Sequence, residues 1–264
     1  MDLLEIGKGI LTSCMNVKAG ENVLVITDDE KLPIGDALYR AAKGLGADTM
    51  LVTMAPREVS GQEPPPAIAA AMKAADVVLC PMSTSITHTK AKIEAAKAGA
   101  RIATMPNITE DMFCQGAMTA DYDTVLALTD RVTQLLTQAS TARIEKEGHV
   151  LTLDLRGRSG VPSSGVYRER GQAGNLPSGE AYIAPLEHGS NGSMVIDGSM
   201  VGIGLLDSPL EVRVQDGKLV SIQGKDAEKV SILLKTPQNA TLCELGIGTN
   251  YAAQLIGVIL EDEK

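Results

Sequence analysis

Apolar and polar positions at the start of the chain follow one rhythm, repeated. Leu3, Leu4, Ile6, Ile10, Leu11 and Met15 recur at helical spacing and predict an amphipathic helix that ends near Ala19-Gly20. Glu21 to Thr27 then reads as a buried strand. The alternation continues with a helix over Leu32 to Leu45 closed by Gly46, an apolar strand around Thr49 to Thr53, a helix over Pro66 to Ala75 and a strand over Val77 to Cys80. A helix from Thr89 to Ala98 closed by Gly99 and a strand from Arg101 to Met105 complete it. Short, uninterrupted apolar strands alternating with helices predict a doubly wound, mainly parallel sheet, because such strands are covered on both faces. Tyr122 to Ile144, with Val125, Leu126, Leu128, Val132, Leu135 and Leu136, reads as one long helix packed on that sheet.

After Gly148 the pattern changes period. Val150 to Leu155 alternates apolar and polar residues, and Gly157 to Ser178 is rich in Gly, Ser, Pro and Arg. Short runs then follow near Met194 to Ile196, Leu210 to Val214, Leu219 to Ile222 and Val230 to Leu234. Asn191-Gly192, Asp197-Gly198 and Asp216-Gly217 supply turn signals among them. The expectation is an α/β N-terminal domain over residues 1–147, followed by a β-rich α+β domain over residues 148–264.

Composition narrows the function classes. With 264 residues the chain is long enough for two ordinary domains, and hydrophobic residues at 44% against charged at 22% give a globular mix. One Phe, no Trp and a net charge of -9 argue against a nucleic-acid partner, which needs cationic and stacking surfaces. Cys14, Cys80, Cys114 and Cys243 lack any C-x-x-C spacing, so the reading is free thiols in a reducing cytoplasm rather than a zinc site or disulfides. Asp2 and Glu5 replace the positive start of a signal peptide, and no apolar run is long enough to span a membrane.

The N-terminal part offers little chemistry. No Gly-rich phosphate loop follows its strands, and Thr27-Asp28-Asp29-Glu30 would repel phosphate. Ser83 to Lys90 could bind an anion at a helix start, but a capped loop is the plainer reading. His88, His149 and His188 lack helical metal-site spacing, and a serine hydrolase would need a G-x-S-x-G elbow that is missing. Two glutamates stand out instead. Glu180, in N-L-P-S-G-E-A-Y-I-A-P, and Glu244, in C-E-L-G-I-G-T-N, each sit among Gly, Pro and short apolar residues, where a carboxylate needs a cation, a donor or a raised pKa. Spacing alone leaves open whether they share a site or are two independent structural carboxylates. Arg156, Arg158, Arg168 and Arg170, on the approach to Glu180, could steer an anionic group or simply be solvated.

These two motifs, the V-I-D-G segment and the terminal L-E-D-E-K, together with the order of an α/β part before a β-rich part, resemble the metallo-aminopeptidase family of aminopeptidases S and T. The resemblance implies a cytoplasmic homodimer that hydrolyses N-terminal residues from a peptide substrate with divalent metal ions, zinc or cobalt, up to two per site. It also implies that Glu180 and Glu244 are metal ligands. In that family a metal-binding histidine, a catalytic tyrosine and then a further H-x-D ligand pair follow. This sequence ends at Lys264 with no histidine after Glu244, so the expectation is an incomplete metal-site domain with weak metal binding and little peptidase activity. The architecture is similar, more distantly, to a mononuclear iron dioxygenase that opens dihydroxypyridine rings, and a catalytically silent oligomerisation module is the third alternative.

Overall fold

The computed structural model describes residues 2–234, 236 and 238–264. Helices are α1 (Leu3–Gly9, continued by a π-helical turn over Ile10–Cys14), α2 (Leu32–Gly44), α3 (Pro66–Ala74), α4 (Lys90–Ala98), α5 (Glu110–Cys114), α6 (Tyr122–Gln138), α7 (Ala227–Leu233) and α8 (Ile259–Asp262). Strands are β1 (Asn22–Thr27), β2 (Asp48–Thr53), β3 (Val77–Met82), β4 (Arg101–Pro106), β5 (Thr141–Lys146), β6 (His149–Asp154), β7 (Val161–Ser163) and β8 (Ala173–Asn175). They continue with β9 (Glu180–Ile183), β10 (Asn191–Ile196), β11 (Ser199–Met200), β12 (Gly204–Leu205), β13 (Leu210–Gln215), β14 (Lys218–Gln223) and β15 (Leu245–Gly248). The chain forms two compact units. One holds the chain up to Leu126 with Ser163–Gly179 and Asn250–Ala253; the other holds Ala127–Pro162, Glu180–Thr249 and Gln254–Lys264.

The first unit is built on a parallel sheet of order β2-β1-β3-β4-β8. β3 is buried at every position, as its unbroken apolar sequence requires of a strand covered on both faces. Leu24, Ile26, Met72, Val78, Cys80 and Ile102 form part of one core in this unit, made almost wholly of aliphatic and thioether side chains. Thr89 caps α4 by accepting from the Lys92 N–H at 3.3 Å, and Gly99 closes it with φ 108°, a conformation that glycine adopts without a Cβ clash. One strand of this sheet lies in the segment that reads as a Gly/Ser/Pro/Arg loop. β8 pairs parallel to β4, with Ile102 opposite Ala173. Three residues are too few to show a period, so only the pairing reveals it.

The second unit carries an antiparallel sheet of order β14-β13-β10-β6-β5. β13 is buried and exposed at alternate positions, the signature of a sheet with one wet face. Leu136, Leu151, Leu153, Leu155, Ala181, Ile183 and Val214 form its core. Asp216 and Gly217, at φ 50° and 73°, make the two-residue turn between β13 and β14, as the Asp-Gly signal predicts. An α/β part followed by a β-rich part is thus the fold observed.

Three local expectations give way to tertiary pairing. The helix expected to reach Ile144 stops at Gln138, and Thr141–Lys146 becomes β5, with alternating burial and full pairing to β6. The run at Val230 to Leu234 is not a strand but α7, which buries Val230; a short apolar run fits either period. Asn191-Gly192 lies inside β10 rather than in a turn. There a Cβ on Gly192 would stand 2.0 Å from the Val150 carbonyl oxygen, so the glycine serves close strand approach. Among the described residues no helix is long and apolar enough to cross a membrane.

Candidate functional site

Glu180 opens β9, which pairs antiparallel with β15 so that Gly248 faces Glu180 and Gly246 faces Tyr182. Ala181 and Ile183 go into the core of the second unit, and strand alternation sends Glu180 and Tyr182 the other way. Glu180 is nonetheless only 8% exposed. Its side chain lies diagonally across β15: a Cβ on Gly246 would be 2.4 Å from Glu180 Oε1. The main chain of Lys264 lies over the next glycine, where a Cβ on Gly248 would be 2.5 Å from the Lys264 carbonyl oxygen. The buried Lys264 Nζ stands 3.6 Å from Glu180 Oε2 and 2.6 Å from Glu263 Oε1.

The electrostatics join these groups into one cluster. Burial pushes the Glu180 carboxyl up to about 7; the Lys264 ammonium pulls it down, while the charges of Glu263 and Glu244 push it further up. The Glu244 carboxyl is raised by burial and by Glu263, with Lys264 opposing. Burial, Glu244 and Glu180 raise the Tyr182 phenol. The charge of Glu244, far from Glu180 in sequence, therefore reaches Glu180 in space. Two carboxylates, Glu180 and Glu263, flank the one buried ammonium, with Glu244 exposed at the edge, and the negative excess is relieved by protonation or by a further cation. Hard oxygen donors of this kind suit a divalent ion. They are part of a ligand set only: among the described residues no three or more His, Cys, Asp or Glu side chains are grouped to hold a metal.

The other residues singled out in the sequence have different roles. His149 Nδ1 is 3.1 Å from Ser193 Oγ, and His88 and His188 are exposed. Arg156 pairs with Asp154 at 2.5 Å, Arg158 with both oxygens of Glu187 at 2.8 Å, Arg168 with Asp123 at 2.7 Å, and Arg170 lies 3.7 Å from Asp76. These arginines are engaged within the chain. At the start of α4 the Glu63 carboxylate accepts from the Lys90 N–H at 2.6 Å and the Ala91 N–H at 3.1 Å, filling with a side chain the place an anion would take. Asp28 is fully buried and bonded to the Ser83 N–H at 2.7 Å and hydroxyl at 2.5 Å. Glu263, Lys264 and Gly246 are the members of the cluster that sequence reasoning did not single out. The L-E-D-E-K ending was visible, but nothing in it says that it folds back onto β15.

The fold and the cluster together define an α/β and β-rich chain with a carboxylate–ammonium cluster beside the β9–β15 pair. The family model NicX: 2,5-dihydroxypyridine 5,6-dioxygenase matches residues 2–264, and the chain belongs to that family. Among solved structures it is similar to 2,5-dihydroxypyridine dioxygenase from Pseudomonas putida KT2440, at 20% identity and a TM-score of 0.75, over 96% of this chain and 77% of that one. It is also similar to wild-type AmpT from Thermus thermophilus, at 14% identity and a TM-score of 0.68, over 93% of this chain and 77% of that one. No curated protein sequence matches it.

The family match overturns the aminopeptidase reading, and with it the assignment as a hydrolase, a metalloprotease and a consumer of peptides. The reason lies in what the motifs encode. G-E-A-Y-I-A-P and E-L-G-I-G form the β9–β15 ribbon of a fold that the dioxygenase and AmpT structures both resemble. They report a scaffold and not a reaction.

Proposed function

We propose that this protein opens the ring of a dihydroxylated pyridine with molecular oxygen, and that Glu180 and Glu244 are the carboxylate ligands this chain gives to a single iron(II). The match to the dioxygenase family over residues 2–264 carries this reading, and the shared fold supports it. Iron(II) held by these carboxylates would supply the activation of oxygen. Glu180, held near 7 without a cation, would give up its proton to bind a divalent ion, so metal uptake would release acid at neutral pH. The setting proposed is the cytoplasm, supported by the four free cysteines, and the assembly a homodimer, supported by the exposed apolar side chains of Val201, Leu205, Leu255 and Ile259.

The test is oxygen uptake by the purified, iron-loaded protein with 2,5-dihydroxypyridine. Uptake matched by loss of the ring absorbance is expected, and Glu180→Ala and Glu244→Ala each lower kcat about a hundredfold or more by removing a ligand. Zinc or cobalt in place of iron gives no uptake. An iron-loaded protein that consumes no oxygen with any dihydroxypyridine would sink the reading.

A further inference from the structure

Gly246 sits in a place where glycine is normally a disadvantage. It lies inside β15, paired with Tyr182, and a strand glycine gives up side-chain packing and loses more backbone freedom than other residues. Its backbone gives no reason for the choice, because neither Gly246 nor Gly248 is among the residues with positive φ. Any L-residue could adopt this conformation. What an added side chain meets is Glu180: the Cβ of an alanine would be 2.4 Å from Oε1, with Cδ next at 3.5 Å.

We propose that Gly246 is a positioning residue of the carboxylate site, its missing side chain being the space in which the Glu180 carboxylate lies. The functional consequence rests on the reading above that Glu180 is a metal ligand. The obstacle at Gly246 is the far end of a flexible side chain, so an alanine is accommodated by turning the carboxylate aside, with little disturbance to the strand. Turning it aside moves Oε1 and Oε2 away from the place set between Lys264 Nζ and the charges of Glu244 and Glu263. Gly248 is different in kind. Its Cβ would meet the Lys264 main chain, with the carbonyl oxygen at 2.5 Å and the carbon at 2.9 Å, and no rotamer relieves that. The two glycines share one face of β15 by strand alternation, yet one makes room for a side chain and the other for backbone.

The proposal is tested by Mn(II) affinity, measured calorimetrically on wild type, Gly246→Ala, Glu180→Ala and the double variant, together with thermal melting and a crystal structure of metal-free Gly246→Ala. Gly246→Ala is expected to melt with the wild type while binding Mn(II) about ten- to a hundredfold more weakly, the usual effect of disturbing what orients a ligand. In the Glu180→Ala background the same substitution costs nothing further, because no carboxylate remains to be displaced. The crystal structure shows the Glu180 carboxylate turned off β15. Undiminished affinity in Gly246→Ala while Glu180→Ala loses it, or full additivity in the double variant, overturns the proposal. If wild type and Glu180→Ala bind Mn(II) alike, or neither binds it, the ligand reading of Glu180 fails. The crystal structure then decides the positioning role alone: a carboxylate still in its original place overturns it, a displaced one sustains it.

Discussion

Asp28 in the first unit and Glu180 in the second are both buried carboxylates at strand ends, and the contrast between them separates structure from site. Asp28 follows β1, where the sheet order turns from β2 to β3 on either side, a position at which open α/β sheets often bind ligands. Here its oxygens are used internally: Ser83 donates from its N–H and hydroxyl, and Lys31 from its N–H at 3.2 Å. Glu180 relies on one ion pair at 3.6 Å with a lysine that sits closer to Glu263. A carboxylate with its acceptors filled is a structural tie. One left under-compensated among other carboxylates is where a cation or proton is drawn.

The contrast extends to the cores. Leu24 is 1% exposed inside a sheet covered on both faces, whereas Leu219 on β14 is only half-buried on a sheet with a wet face. Leu24→Ala is expected to cost about 3–4 kcal/mol and Leu219→Ala about 1 kcal/mol. Urea denaturation checks this, and equal costs would erase the distinction between the two sheets.

The carboxylates give the next largest difference. Asp28→Ala leaves the donors of Ser83 and Lys31 without their acceptor and is expected to destabilise by about 3 kcal/mol. Glu180→Gln goes the other way. Its folded pKa of about 7 lies above the ordinary 4.5, so the folded state holds the proton more firmly and Glu180 favours folding below about 4.5, losing that contribution as pH rises through 7. The metal-free Glu180→Gln protein is therefore expected to be more stable than wild type by about 3 kcal/mol at pH 8 and equal to it at pH 4. Melting curves at the two pH values measure it, and a pH-independent difference contradicts the burial argument.

The smallest effect concerns the helix start that the Ser83 to Lys90 run made a candidate anion site. Glu63→Ala removes the acceptor of two α4 N–H groups and is expected to cost about 1 kcal/mol, partly recovered by added sulfate if the vacated helix start then takes an anion. A stability unchanged by the substitution would show that Glu63 is no cap.

How much of this was legible depends on the range over which each feature is encoded. The four long strands of the parallel sheet and helices α2, α3 and α4 appeared within a residue or two, because period and caps are local, whereas the first helix, expected to end near Ala19-Gly20, closes at Cys14. β8 was invisible because three residues carry no period, and α7 was misread because a run as short as Val230 to Leu234 fits two periods. At the site, Glu180 and Glu244 stood out by their company in sequence, but Glu263, Lys264 and the bare face of Gly246 did not. Nothing local says that the end of the chain returns to β15.

Resemblance of motifs misled on the reaction for a related reason. The ribbon that holds Glu180 is shaped by backbone pairing and close approach, requirements common to the fold whichever chemistry it hosts. The sequence by itself determined the alternating α/β start, the β-rich continuation, the exclusion of a phosphate loop and the two unusual glutamates, since all of these are written in local pattern and residue type. Only the tertiary structure decided which buried carboxylate is satisfied and which is not. That difference is made by donors brought from elsewhere in the chain, Ser83 to Asp28 in one unit and Lys264 to Glu180 in the other.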